Sequence, residues 1–240
     1  MVYSFADFKI EYDNMYDMFA SQCADYISEE EPDFKIELTE QDINSERELA
    51  DGEFSNSYLE TIAFYRKLAD ILPSKNAFVL HSAFFEVEGE GIAFAAHSGT
   101  GKTTHMRLWK KLLGDKMKVV NGDKPIIRFF DEDPKTPYGY GTPWNGKERM
   151  GTNSKAPLKH ICFIERATDN SCEPMAVADV VDLIFNQVYM PKNPLGAVAT
   201  IQLINRLVNS CNLWKIKCNM DIEAAATAYN TIFKKQEKLL

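Results

Sequence analysis

Apolar residues recur along this chain with two periods, and the switches between them predict its elements. Residues 2–10 read as a strand, residues 13–27 carry Met15, Met18, Phe19 and Tyr26 as a helix would, and the stretch Phe34-Lys35-Ile36-Glu37-Leu38 alternates as a half-buried strand does. From Ser57 the spacing turns helical through Tyr58, Ile62, Tyr65, Leu68 and Leu72, and Pro73 supplies the stop. Two strand-like runs, 77–88 and 91–96, are separated only by Gly89-Glu90, a hairpin signal. Residues 105–113 place Leu108, Trp109, Leu112 and Leu113 on one helical face and end at Gly114. Strands are predicted over 117–120, 126–130, 158–165 and 213–217, and helices over 176–189 and 195–209, split by Pro191 and Pro194. A last helix is capped by Asp221, with Ile222, Ala225, Tyr229 and Ile232 inward. Residues 131–155 hold Pro134, Pro137, Gly139, Gly141 and Pro143, which predicts a long loop or a set of short hairpins.

Two runs joined by a two-residue turn must be antiparallel. The expected fold class is therefore α/β of mixed α+β character, with a mixed, partly antiparallel sheet. Residues 1–75 are expected to form an N-terminal α+β segment packed on the core, and residues 76–240 the unit that carries the chemistry. A chain of 240 residues can bury one sizeable core. Its net charge of −8 comes without a basic stripe, so no nucleic-acid partner is expected. The acidic stretches Glu29-Glu30-Glu31 and Glu37 to Glu53 read as a solvated face. Cys23, Cys162, Cys172, Cys211 and Cys218 show no C-x-x-C spacing, which speaks against a zinc site or a disulfide framework and suits a reducing cytoplasm. No apolar run is long enough to span a bilayer, so a cytoplasmic protein without a membrane partner is expected.

The sharpest chemical signal is Ser98-Gly99-Thr100-Gly101-Lys102-Thr103-Thr104, between the apolar run Ile92-Ala93-Phe94-Ala95-Ala96 and the helix that follows. Strand, glycine-rich loop and helix N-terminus together make an anion nest whose amides cradle phosphates. Lys102 would reach the β/γ-phosphates and the Thr103 hydroxyl would bind Mg²⁺. Ala96 stands where the pattern's first glycine belongs, a departure that matters only if the position needs a positive φ. Val119-Val120-Asn121-Gly122-Asp123 is an apolar run ending in an acid, and Asp123 is the candidate metal carboxylate. The competing reading makes Asp123 a turn residue bonded to its own backbone.

Leu80-His81, then Gly89-Glu90-Gly91, then the Ser98–Thr103 loop resembles the catalytic domain of the HPr kinase/phosphorylase family, and the loop wording also resembles ATP-dependent phosphoenolpyruvate carboxykinase. The likeness covers residues 77–125 and, more loosely, 157–165; Tyr140-Gly141-Thr142-Pro143-Trp144 is similar to small HPr-kinase-like bacterial proteins. The resemblance implies that Lys102 binds phosphates, Thr103 and Asp123 bind metal, and His81 lies near the transferring phosphate. Two departures accompany it. The family's acidic pair is Gly122-Asp123 here, so the general base is missing or is Asp123 itself, and the family's Arg-Gly-Leu-Gly segment has no match.

A phosphoryl-transfer site needs a second cation, and Lys147, Arg149 and Arg128 lie in or beside the Pro/Gly-rich loop. Arg149 is the preferred one, because a guanidinium grips phosphate oxygens with two donors. Three functions follow from the residues. The first is an ATP-dependent kinase using Mg²⁺, with Lys102, Asp123, His81 and Arg149 as its machinery and a hydroxyl of a small molecule or peptide serine as acceptor. The others are a nucleotide-binding module without transfer chemistry and a simple triphosphate hydrolase. Acceptor identity and oligomeric state are left open.

Overall fold

The computed structural model describes residues 1–233; residues 234–240, the end of the expected 76–240 unit, lie outside them. The chain opens with β1 (Val2–Phe5) and β2 (Phe8–Glu11), an antiparallel pair. This corrects the single strand expected over 2–10. Ala6 and Asp7 take left-handed φ values of 53° and 61°, the geometry of a tight two-residue hairpin turn. The alternation shifts phase at the reversal: Tyr3 and Phe5 are buried on β1, Phe8 and Ile10 on β2. The helix expected over 13–27 shrinks to α1 (Asp17–Gln22) and a 3-10 turn, Ala24–Tyr26. The buried Glu60 carboxylate takes the N–H groups of Met15 and Tyr16, which holds the chain non-helical there.

Next come β3 (Phe34–Lys35), α2 (Glu40–Leu49) and α3 (Asn56–Ile71), the last running into a 3-10 turn, Leu72–Lys75. The acidic stretch expected as a solvated face forms α2, mostly exposed and started by a Thr39/Asp42 capping box. The expected strand 77–88 breaks at Leu80-His81 into β4 (Ala77–Val79) and β5 (Ser82–Val87). The chain continues through β6 (Glu90–Ala95), α4 (Lys102–Leu113), β7 (Met117–Asn121), β8 (Ile126–Arg128), β9 (Tyr138–Tyr140) and β10 (Lys155–Arg166). It then adds β11 (Ser171–Pro174), α5 (Val177–Phe185), α6 (Pro194–Ser210), β12 (Asn212–Cys218) and α7 (Ile222–Ile232). Asp221 precedes α7 but makes no side-chain cap; its carboxylate accepts from the Asn219 amide at 3.0 Å instead.

The fold is mixed α/β. Nine of the described strands form one sheet in the order β4-β8-β9-β10-β6-β5-β7, with β12 beside β10 and β11 beside β12. β10 is parallel to β6 and β12, while β5 is antiparallel to both β6 and β7, so the sheet is mixed; the turn between β5 and β6 is Glu88-Gly89, one residue earlier than the expected Gly89-Glu90, with φ values of 55° and 82°. One face packs Ala95, Ile161 and Phe163 under α5 and α6. The other packs Phe85, Phe94 and Ile164 under Met106 and Trp109 of α4 and Tyr229 of α7. A third cluster joins Tyr3, Phe5, Phe19 and Phe64 to Val79, Ile126, Tyr140 and Trp144, so the N-terminal residues share one core with β4, β8 and β9.

This topology positions the chemistry. β6 and β7 end at the same edge, and β5, running the other way, begins there. The loop after β6, the residue before β5 and the turn after β7 are thereby brought to one place.

Candidate phosphate site

The loop after β6 adopts positive φ at Gly99 (78°) and Gly101 (121°), the two positions where glycine is needed. Ala96 is not among the positive-φ residues, so alanine serves in place of the pattern's first glycine. A β carbon on Gly99 or Gly101 would meet nothing within 4 Å, so backbone conformation, not crowding, selects glycine there. α4 starts at Lys102, and a glycine before it leaves the first-turn amides without a side-chain cap. Lys102 is buried, and its Nζ donates to the Ala96 carbonyl at 2.8 Å across the loop. Burial pulls the Lys102 pKa below the usual lysine range; the Asp123 charge acts upward on it and Lys124 downward.

Asp123 forms the facing wall. Its Oδ1 lies 3.2 Å from His81 Nε2 and its Oδ2 2.9 Å from Lys124 Nζ. Burial opposes ionisation, but the His81 hydrogen bond and the Lys124 ammonium outweigh it and hold the carboxyl at about 2. His81 is fixed by its own backbone, whose N–H donates to the Gln187 carbonyl at 2.7 Å, while the Ser82 N–H donates to the Asp123 carbonyl at 2.9 Å.

The self-bonded turn residue here is Asn121, not Asp123. Fully buried, Asn121 accepts the N–H groups of Asp123 and Lys124 at 2.8 and 2.7 Å and donates to Thr142 Oγ1 at 2.9 Å. It turns the chain so that the Asp123 carboxylate is left for other partners. Gly122 is equally constrained. A β carbon there would lie 2.5 Å from the Asn145 carbonyl oxygen and 3.1 Å from that of Met150. The position read as a missing acid is thus one where the 145–150 segment closes directly over backbone. Gly141 is held the same way, with the Thr152 carbonyl oxygen 1.9 Å from a would-be β carbon.

That covering segment is anchored at both ends. Trp144 is buried and donates to the Thr61 carbonyl at 3.2 Å, which makes it a core anchor. Glu148 pairs with Arg107 on α4, tying the segment to the phosphate-loop helix. Lys147 and Arg149 are exposed on this segment, Arg149 at a φ of 48°. Arg128 is engaged elsewhere: it donates to the Ala6 carbonyl at 2.6 Å and stacks on Phe8 and Phe130. His97 is exposed in the loop. His105 is buried against Phe94 and accepts from the Trp109 indole at 3.3 Å, and burial pushes its pKa down to about 4. His160 bonds Glu90 and Trp214.

Three site residues escaped sequence reasoning. Lys124 and Asn121 flank the recognised acid, and only the Asn-Gly dipeptide signalled a turn there. Arg166, at the end of β10, donates to the Thr100 carbonyl at 2.9 Å and to the Gly99 carbonyl, bracing the loop from outside. Nothing in the sequence around Arg166 announces that contact.

An ionised carboxylate opposite the first turn of α4 suits Mg²⁺, which takes one or two carboxylates and fills its remaining positions with phosphate oxygens and water. Asp123 and Thr103 are the groups that would hold it. Among the described residues no three His, Cys, Asp or Glu side chains gather as a metal cluster.

No family model and no curated protein matches this sequence. Among solved structures, the Hpr(Ser) kinase/phosphatase from Coxiella burnetii overlays on 65% of this chain and 97% of its own, at 9% identity and a TM-score of 0.37. At that score the overlay is too loose to transfer residues or activity. No helix among the described residues is long and apolar enough to cross a membrane.

Proposed function

We propose that this protein is an ATP-dependent phosphotransferase that moves a phosphoryl group to a hydroxyl of a small molecule or of a serine in a peptide. The observation that supports this most is the meeting of Asp123 with His81 at 3.2 Å, at the sheet edge where the phosphate loop ends and where the Asp123 charge reaches Lys102. A loop that only bound phosphate would need Lys102 and its amides, but not a carboxylate–imidazole pair opposite them.

The roles follow from charge. Lys102 leaves the Ala96 carbonyl and neutralises the β/γ-phosphates, and the amides at the start of α4 add their dipoles. Arg149, on the covering segment, would close on the transferred group. Mg²⁺, held by Thr103 and Asp123, would supply charge neutralisation between the phosphates. The acceptor oxygen attacks the γ-phosphorus, the bond to the ADP oxygen breaks, and the hydroxyl proton passes to the Asp123–His81 pair.

A second reading is a nucleotide-binding module without transfer chemistry. One contact favours it: Lys124 sits on the second Asp123 oxygen at 2.9 Å, so both oxygens are occupied. Incubation with γ-labelled ATP and cell extract separates the readings. Label on an acceptor, lost in Lys102→Ala and in Asp123→Asn, supports the kinase. Label only on free phosphate indicates a hydrolase, and tight ATP binding without turnover indicates the module.

A further inference from the structure

A cavity of about 260 Å³ opens beside the phosphate loop, at the carboxyl ends of β6 and β10. It shares its wall with the groups placed at the terminal phosphate. Ala96 lines it, and the Ala96 carbonyl is the one that takes Lys102 Nζ at 2.8 Å. Gln187 lines it too, and the Gln187 backbone carbonyl takes the His81 N–H at 2.7 Å. The cavity therefore abuts the place where a transferred phosphoryl group would leave its nucleotide, and a molecule seated in it lies next to that group.

The lining indicates what kind of molecule fits. Phe163 of β10, Met175, and Leu183 of α5 make the wall mostly apolar. Glu165 and Lys215 in the wall neutralise each other at 2.9 Å. Gln187 adds an unmet polar need: it is only 5% exposed, and its Oε1 is buried with no hydrogen-bond partner among the described residues. A buried carbonyl oxygen without a donor is costly, and one that borders a cavity is satisfied by an N–H or O–H that a ligand brings in. The volume holds on the order of ten non-hydrogen atoms, with water's share of the liquid as the measure. A serine inside a peptide would bring flanking backbone N–H and C=O groups, each needing a partner that an apolar wall withholds.

Resting on the reading of the protein as a phosphotransferase, we infer that this cavity seats the acceptor, and that the acceptor is a small uncharged alcohol with a mainly apolar body and a second N–H or O–H that donates to Gln187 Oε1. Its reacting hydroxyl oxygen bonds to the γ-phosphorus, the bond from that phosphorus to the ADP oxygen breaks, and the hydroxyl proton goes to the Asp123–His81 pair. The products are a phosphate monoester and ADP.

Label transfer from γ-labelled ATP with Mg²⁺ tests this against two halves of a cell extract, a small-molecule filtrate and the retained macromolecules. Label is expected on a phosphate monoester in the filtrate. Label confined to the retained macromolecules overturns the inference and leaves the phosphotransferase reading intact. Label on free phosphate alone, or on nothing, overturns that reading and this inference with it. Hexanol and the matching α,ω-hexanediol are then used as competitors of the transfer. The diol, which alone has a second O–H, should compete at several-fold lower concentration, and Gln187→Met should remove the difference. Equal competition by the two alcohols in the wild type overturns the role given to Gln187. Leu183→Trp fills the cavity while leaving Gln187 in place, and both variants are checked for folding by circular dichroism. Transfer to the filtrate acceptor should fall several-fold or more in Leu183→Trp, while the ATP Kd from calorimetry moves less. ATP affinity that falls in step with transfer puts the nucleotide in the cavity and overturns the inference, as does transfer that survives both substitutions.

Discussion

The two walls of the candidate phosphate site are built in opposite ways. The loop wall is one continuous stretch, Ser98 to Thr104, whose conformation follows from two positive-φ glycines and the start of α4. The facing wall is assembled from pieces: His81 before β5, the Asn121–Lys124 turn after β7, and the segment 141–152 laid over both. It is braced in turn by Trp144, which reaches the Thr61 carbonyl in the N-terminal core. A local motif can be transplanted between folds, whereas an assembled wall works only where a particular sheet order brings its parts together.

The largest expected effect lies on the loop wall. Lys102→Ala should weaken triphosphate binding by about 100-fold or more, since it removes the charge-assisted contact to the phosphates. Calorimetry measures it, and wild-type affinity in the variant would sink the assignment of the loop. On the assembled wall, Gly122→Asp restores an acidic pair on paper. The 2.5 Å approach of the Asn145 oxygen says that it instead forces the covering segment away. A loss of about 1–3 kcal/mol is expected, with a lower Tm and lower activity. A more active variant of unchanged Tm would show that the segment yields freely and that the two walls are not so different.

Asp123→Asn probes the same wall through pH. The folded-state pKa of Asp123 lies below the ordinary carboxylate range, at about 2. Its ionised form therefore contributes stability that is complete above the ordinary range and is lost as pH falls through about 2. Urea titrations of wild type and variant should differ most near neutral pH and converge between the ordinary range and the folded-state value. A constant gap across that window would mean that the contacts to His81 and Lys124 do not depend on the charge. The smallest effect belongs to the tie between the walls. Arg107→Ala or Glu148→Ala should cost only about 0.2–1 kcal/mol, because both partners are exposed. Nucleotide affinity in these variants should change more at low salt than at high salt, and equal changes at both would point to packing rather than charge.

Much of the loop wall was legible in the chain because its determinants are neighbours in sequence. Even the alanine at the head of the pattern proved harmless once φ at Ala96 was known to be ordinary. The facing wall was legible only as parts. His81 and Asp123 could be named, but Gly122 was read as an absent acid when it is a point of close approach. Asn121 was passed over, although it accepts both N–H groups that shape the turn. Lys124 and Arg166 carried no pattern at all, since their roles come from backbone carbonyls and a carboxylate contributed by other segments or released by that turn. The N-terminal residues misled for a related reason: two short runs on either side of a two-residue turn look like one strand, and a carboxylate from α3 holds non-helical a stretch whose spacing suited a helix.

What the amino-acid order determined unaided was the strand–loop–helix with its lysine, and the antiparallel step before it, because a two-residue turn beside Gly89 leaves the backbone no other course. Tertiary structure alone decided that Lys124 pairs with Asp123, that Gly122 has no room for a side chain, and that a buried Gln187 oxygen without a partner among the described residues borders a cavity beside the loop. The physical reason is range. Backbone conformation answers to the nearest few residues, whereas charge pairing, crowding and burial are set by groups that only the finished sheet brings within a few ångströms.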